Sequence, residues 1–160
     1  MTRLDEEPRI TLSVLDRLVD FEPEASQEAP ASRSKTLRQL KQAVRRDLEW
    51  LLNTRQCFEV PEELPALRDS LLSYGLPDFS TLSVKNAEDQ ASLVAALENT
   101  LRRFEPRLED VAVSLATVSA LERALRFRID ARLRVDPVPE PVTFDTTLQL
   151  GSGNFAVKGE

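Results

Sequence analysis

From Arg126 to Val135 the sequence reads RFRIDARLRV, and every second residue is apolar. In an extended chain Phe127, Ile129, Ala131, Leu133 and Val135 project to one side. Arg126, Arg128, Asp130, Arg132 and Arg134 project to the other. A helix would scatter these residues around its circumference, so the run predicts a strand with one buried and one charged face. That strand needs partners. Val111, Val113 and Leu115 alternate with Ala112, Ser114 and Ala116, whose small size predicts a closely packed neighbour on the second face. Val142, Phe144, Thr146, Leu148 and Leu150 alternate with Thr143, Asp145, Thr147 and Gln149. The prolines between Asp136 and Pro141 predict a stiff connection. Gly151-Ser152-Gly153 predicts a hairpin into a last short strand, 154–158.

The apolar faces of such a sheet must be covered, and two helical patterns supply the cover. Over 35–55, Leu37, Leu40, Val44, Leu48 and Leu51 form one stripe, which Trp50 and Leu52 widen; Arg38, Lys41, Arg45 and Arg46 sit largely off it. Ser34 is the expected cap. Over 87–104 the stripe is Val94, Leu97, Leu101 and Phe104, with Asn86 as cap and Glu88 and Asp89 favoured in the first turn. The expected fold is α+β, a mostly antiparallel sheet over 110–158 packed against these two helices. A short helix is expected within 11–20, capped by Thr11 or Ser13, and another through Leu64, Leu67, Leu71 and Leu72. The latter ends at Gly75 and Pro77. Residues 1–10 are polar and charged, which predicts a segment mobile or docked on something else, and 22–34 has no large apolar residue to bury, which predicts a linker or mobile loop and a division into 1–34 and a single domain over 35–160.

Composition narrows the chemistry. The chain has no histidine, which removes Ser-His-Asp and Cys-His nucleophile systems and His-based metal sites. Nothing calls for a cofactor. The net charge of −6 opposes bulk nucleic-acid affinity, although the arginines from Arg126 to Arg134 give one strand face a local excess of three positive charges that could orient an acidic partner. The apolar runs are too short to span a membrane. No signal-peptide core is expected at the start, and the lone Cys57 suits a reducing cytosol.

The joint between the second helix and the sheet reads RRFEPRLEDV, 102–111. Pro106 ends the helix and biases Glu105 towards an extended backbone. Glu105 and Arg107 then flank a rigid bend, and three readings stay open on the residues alone: an ordinary turn, a docking point, or a catalytic carboxylate. The docking reading has both charges held outward, Arg107 offering a planar fork and Glu105 an acceptor. The catalytic reading pairs Glu105 with Glu109 or Asp110 in a glycoside hydrolase. Arg102, Arg103 and Arg107 nearby would keep such an acid ionised and spoil its role.

Four patterns occur in order: Arg46-Asp47-Leu48 leading to Leu51-Leu52-Asn53-Thr54-Arg55, then SLLSYGLPDFS from Ser70 to Ser80, then Glu105-Pro106-Arg107-Leu108, then Phe144-Asp145-Thr146. Together they resemble the TssE family of bacterial type VI secretion baseplate subunits, within the contractile-phage baseplate wedge proteins once labelled lysozyme-like. The resemblance runs over about 10–158. It implies a fold similar to the sheath-subunit core, a structural role without enzymatic activity, and a cytoplasmic location at the inner-membrane face. It implies the partners TssF and TssG, TssK in the same complex, and the first ring of the TssB/TssC sheath, which would grow by pairing with an open sheet edge. Glu105, Pro106 and Arg107 would be the contact with the helical core bundle of the wedge.

Overall fold

The structure is a computed structural model that describes residues 13–18, 33–57, 61, 63–79, 83, 86–119 and 124–159. The order is α1 (Val14–Leu18), α2 (Arg33–Asn53), α3 (Pro65–Arg68), a 3-10 turn (Leu71–Ser73), α4 (Ala87–Phe104), then β1 (Leu108–Ser119), β2 (Ala124–Leu133), β3 (Glu140–Gln149) and β4 (Asn154–Gly159). The four strands form one antiparallel meander in chain order. Helix α4 lies along β1 and α2 along β4, so the α+β arrangement is as the patterns predict.

Strand β2 carries the alternation in full. Phe127, Ile129 and Leu133 are buried, and each contributes roughly 1.5–3 kcal/mol by leaving water. Leu48 and Leu52 of α2 and Leu97 and Leu101 of α4 meet them in one core with Phe144, Leu148 and Phe155. Strand β1 has one departure from period two. Leu108 and Val111 are both buried although they lie three apart. A bulge between Glu109 and Ala112, with Asp110 at φ 52°, inserts the residue that brings both inward.

Several expectations are corrected. Helix α2 already contains Arg33 and Ser34, so Ser34 is not its cap and the linker does not reach 34. Trp50 is 56% exposed rather than part of the buried stripe, because it lies two residues from Leu48 and Leu52, on the opposite side of the helix. The 64–72 leucines do not make one helix: Pro65–Arg68 and Leu71–Ser73 are separate turns, and Leu71 and Leu72 face outward while Ser73 is buried. Ala112, Ser114 and Ala116 are exposed, and nothing among the described residues packs on them. The regions 1–10 and 19–32 lie outside the described residues.

The outer sheet face also differs from expectation. Arg128 pairs with Asp145 at 3.2 Å, Arg132 with Asp110 at 3.4 Å, and Arg134 with Glu109 at 2.6 Å. Asp130 takes a hydrogen bond from Thr143 at 2.8 Å. The positive excess read from one strand is therefore offset by carboxylates on its neighbours. Exposed pairs of this kind are worth about 0–1 kcal/mol each, and a charge-balanced lattice is a poor match for a phosphate backbone.

Candidate functional site

The joint is built by the last turn of α4. The Glu105 N–H still donates to the Leu101 carbonyl at 2.9 Å, but its own backbone is non-helical at φ −121°, ψ 77°, as the proline behind it requires. The Leu108 N–H returns to the Glu105 carbonyl at 3.1 Å, closing a turn over Pro106 and Arg107. The Arg134 N–H donates to the Arg107 carbonyl at 2.8 Å and ties the turn to the end of β2.

The charges do not point outward together, which corrects the sequence reading. Glu105 is 4% exposed. It follows Leu97 and Leu101 at a spacing of four, so it occupies the buried stripe of its own helix. Arg107 folds back over it. Nε reaches Glu105 Oε1 at 2.6 Å and Nη2 reaches Oε2 at 2.5 Å, a fork on one carboxylate. Nη2 also reaches Asp47 Oδ2 on α2 at 2.7 Å. The outward member of the tripeptide is Pro106.

The contacts continue beyond Asp47. Arg46 donates to Asp47 Oδ1 at 2.9 Å and to Asp16 Oδ1 on α1 at 2.8 Å. Ser13 donates to Asp16 Oδ2 at 2.5 Å, and its hydroxyl accepts from the Asp16 N–H, so Ser13 is the cap of α1. Three carboxylates and two guanidinium groups thus stitch α1, α2 and the α4–β1 joint into one chain of contacts. Tyr74 packs edge-on against Phe104 at 5.2 Å beside it. Burial, then the Asp47 and Glu105 charges, push its phenol above the ordinary range. The bonds from Glu105 raise the Arg107 guanidinium above its usual value despite burial, with Asp47 adding to the effect. Sequence patterns show Arg46 and Asp47 as neighbours in a motif but give no sign that Arg46 meets a residue 30 positions away and Asp47 one 60 positions away.

Asp16 supplies a pH prediction. Burial alone would raise its carboxyl, but the Ser13 and Arg46 hydrogen bonds and the Arg46 charge outweigh burial and hold it below the usual range. A lowered folded value means the stabilisation is complete above the unfolded value of about 3.9 and is lost as pH falls through the folded value. Arg46 lies 5.2 Å over the ring of Trp50, the chain's one tryptophan. An acid titration is expected to change Trp50 emission with a midpoint below about pH 3.9, and Asp16→Asn should remove that step. An unchanged titration in Asp16→Asn would refute the assignment.

The hydrolase arrangement finds no support in this geometry. Glu105 is clamped on the helix side of the sheet, while Glu109 and Asp110 pair with Arg134 and Arg132 on the outer face. Two open grooves, one beside α4 and one around Arg128 and Lys158, contain none of the three. A carboxylate held by both arms of a guanidinium has no free edge for a leaving group.

The charged groups of the joint, Glu105, Arg107, Asp47, Arg46 and Asp16, bind one another and brace three elements of the fold. The family model for baseplate wedge protein gp25 matches residues 38–138, more than half of the chain, and the chain belongs to that family of structural baseplate components. The match takes in most of α2, the joint, β1 and β2, and ends before β3. No curated protein and no solved structure matches the chain. Among the described residues no helix is long and apolar enough to cross a membrane.

Proposed function

We propose that the chain serves as a TssE-type wedge subunit of a type VI secretion baseplate. In this reading it sits at the cytoplasmic face of the inner membrane, docks on the helical core bundle formed with TssF and TssG, shares the complex with TssK, and starts the TssB/TssC sheath from a body similar to the sheath-subunit core. The domain over 35–160 carries these contacts. The observation behind the reading is the construction of the joint. Pro106 stands at the apex of a turn held by Leu108, Arg134 and the Glu105–Arg107 fork, so a partner meets a surface that loses little entropy on docking. Glu105 acts from beneath by fixing Arg107, and the remaining face of Arg107 lies beside Pro106.

Pro106→Glu tests this without touching the buried pair. The variant is expected to keep its unfolding transition within a few tenths of a kcal/mol to about 1 kcal/mol of the unmodified chain. Its recovery with co-expressed TssF and TssG is expected to fall sharply. Undiminished recovery would place the wedge contact elsewhere on the chain.

A further inference from the structure

Polarity is reversed at two places in this fold. In α1 the acid Asp16 is buried, while Val14, Leu15 and Leu18 are exposed, Leu18 to 76%. In the 3-10 turn the polar Ser73 is buried and Leu71 is 85% exposed, with Leu72 beside it also outward. That turn is held firmly. The Ser70 hydroxyl donates to the Leu67 carbonyl at 2.7 Å, the Ser73 hydroxyl stands 3.0 Å from the same oxygen, and the Gln56 side chain donates to the Ser73 carbonyl at 2.8 Å. A braced turn that folds a serine inward and its leucines outward gives up apolar burial that the fold could use.

Both places border the charged strut. Arg46, which grips Asp16, also lies over Trp50, itself more than half exposed. The Leu71–Leu72 turn is flanked by Asp69, 3.3 Å from Arg103, and by Tyr74 against Phe104, and Arg103 and Phe104 directly precede Glu105. The Thr54 carbonyl, one helical turn beyond Trp50, accepts from the Leu76 N–H just past Tyr74. Exposed apolar groups gathered around one feature mark a contact surface, unlike single ones scattered over a protein. Area gives the same answer. A stable interface takes about 800 Å² from each partner, of which one exposed proline at position 106 is a small fraction.

We propose that Val14, Leu18, Trp50, Leu71 and Leu72 are the apolar anchors of one docking surface with the strut at its centre, and that its occupant is an amphipathic helix of another chain with a carboxylate within its apolar side. Charge selects the occupant. The acids of the strut are held by its own guanidinium groups, but the donors are not all used. Arg107 spends Nε and Nη2 on Glu105 and Asp47, and Arg46 spends Nε and Nη2 on Asp47 and Asp16. The Nη1 of each meets no acceptor among the described residues, and both side chains are about a quarter exposed. A carboxylate suits such donors. A helix presents it with apolar residues three and four positions away on the same side. Lipid phosphates would suit the donors too, but the net charge of −6 opposes approach to an anionic bilayer. Trp50 is the expected hot spot, because a large aromatic ring beside a guanidinium contributes most once it is covered. That the helix belongs to the TssF and TssG bundle rests on the wedge reading above.

The full chain is titrated against the purified TssF–TssG complex, unmodified and as W50A, W50F and the paired change L71S with L72S. W50A and the serine pair are each expected to weaken binding about tenfold or more while the urea unfolding transition stays in place, and W50F to regain most of the loss in W50A. Losses below about twofold in both, with P106E still weakened, overturn this proposal and leave the Pro106 contact standing. If the serine pair fails to fold, W50A decides, since Trp50 is exposed on a helix that accepts alanine. No binding by the unmodified chain refutes the wedge reading and the occupant named here with it. The unmodified chain is expected to remain a monomer in sedimentation equilibrium and to stay unbound to phosphatidylglycerol vesicles. Self-association or vesicle binding that W50A removes would assign the surface to a second copy or to a membrane and overturn the proposal.

Discussion

Arg107→Ala is expected to lose about 3–5 kcal/mol of unfolding free energy, measured by urea denaturation. The loss comes less from the attraction removed than from what is left behind. Glu105 would be left at 4% exposure with only a 3.3 Å backbone N–H from residue 107 near it. Asp47 would lose its link to the joint, although its contact with Arg46 remains. The paired change Glu105→Leu with Arg107→Leu is expected to cost less than Arg107→Ala alone, because it removes both charges from a site that can accept apolar groups. A loss below about 1 kcal/mol in Arg107→Ala would mean that Glu105 reaches water and that the strut is ornamental.

That expectation changes how the joint must be tested. Alanine at Glu105 or Arg107 would weaken partner binding through loss of the fold as readily as through loss of a contact. Only Pro106, exposed at the apex, separates the two. A motif that reads as two outward charges is in the folded chain a buried acid, an exposed bend and a base spanning them.

How much of this was visible in the sequence follows from the range of the interactions involved. Helix α4 and its Asn86 cap, whose side chain accepts from the Glu88 N–H, depend on neighbours within four residues and were legible. So were the alternation of β2 and β3 and the turn at Gly151-Ser152-Gly153. The burial of Glu105 was also legible in principle, since it continues the Leu97–Leu101 spacing. The proline behind it masks that spacing, because it reads as a bend that turns the side chain outward. Hydrophobicity alone assigns Trp50 to the buried stripe, but its angle on the helix turns it to solvent. The partners of the joint were not legible at all. Asp47 and Asp16 meet Arg107 and Arg46 only after the helices pack, and no local pattern encodes which acid meets which base. The bonds of Glu98 with the Val113 N–H and of Asn53 with the Phe155 backbone belong to the same class: both side chains read as ordinary helix-surface residues until the strands lie beside them.

Gly75→Ala is expected to cost about 2–5 kcal/mol, combining left-handed strain with a steric clash. Gly75 sits at φ 105°, and a Cβ there would lie 2.5 Å from the Thr54 carbonyl oxygen and 2.8 Å from its carbon. Those backbone atoms cannot retreat. The Thr54 carbonyl accepts from the Leu76 N–H at 2.9 Å, the Gln56 N–H donates to the Leu76 carbonyl at 2.9 Å, and this bridge seats Leu76 at 0% exposure in the core. For a chain of this size each kcal/mol lowers Tm by about 2–4 °C. Gly151→Ala, where an added Cβ meets nothing within 4 Å, is the control and should stay within about 0.5 kcal/mol. Gly75→Asn separates the two causes. Asparagine tolerates positive φ better than alanine does, so it would recover stability if backbone conformation dominated. The Cβ contact predicts no recovery, because asparagine carries the same Cβ into the same carbonyl. Recovery in Gly75→Asn, or a loss below about 0.5 kcal/mol in Gly75→Ala, would show that the approach to Thr54 is loose and that the bridge between Arg55 and Leu76 can yield.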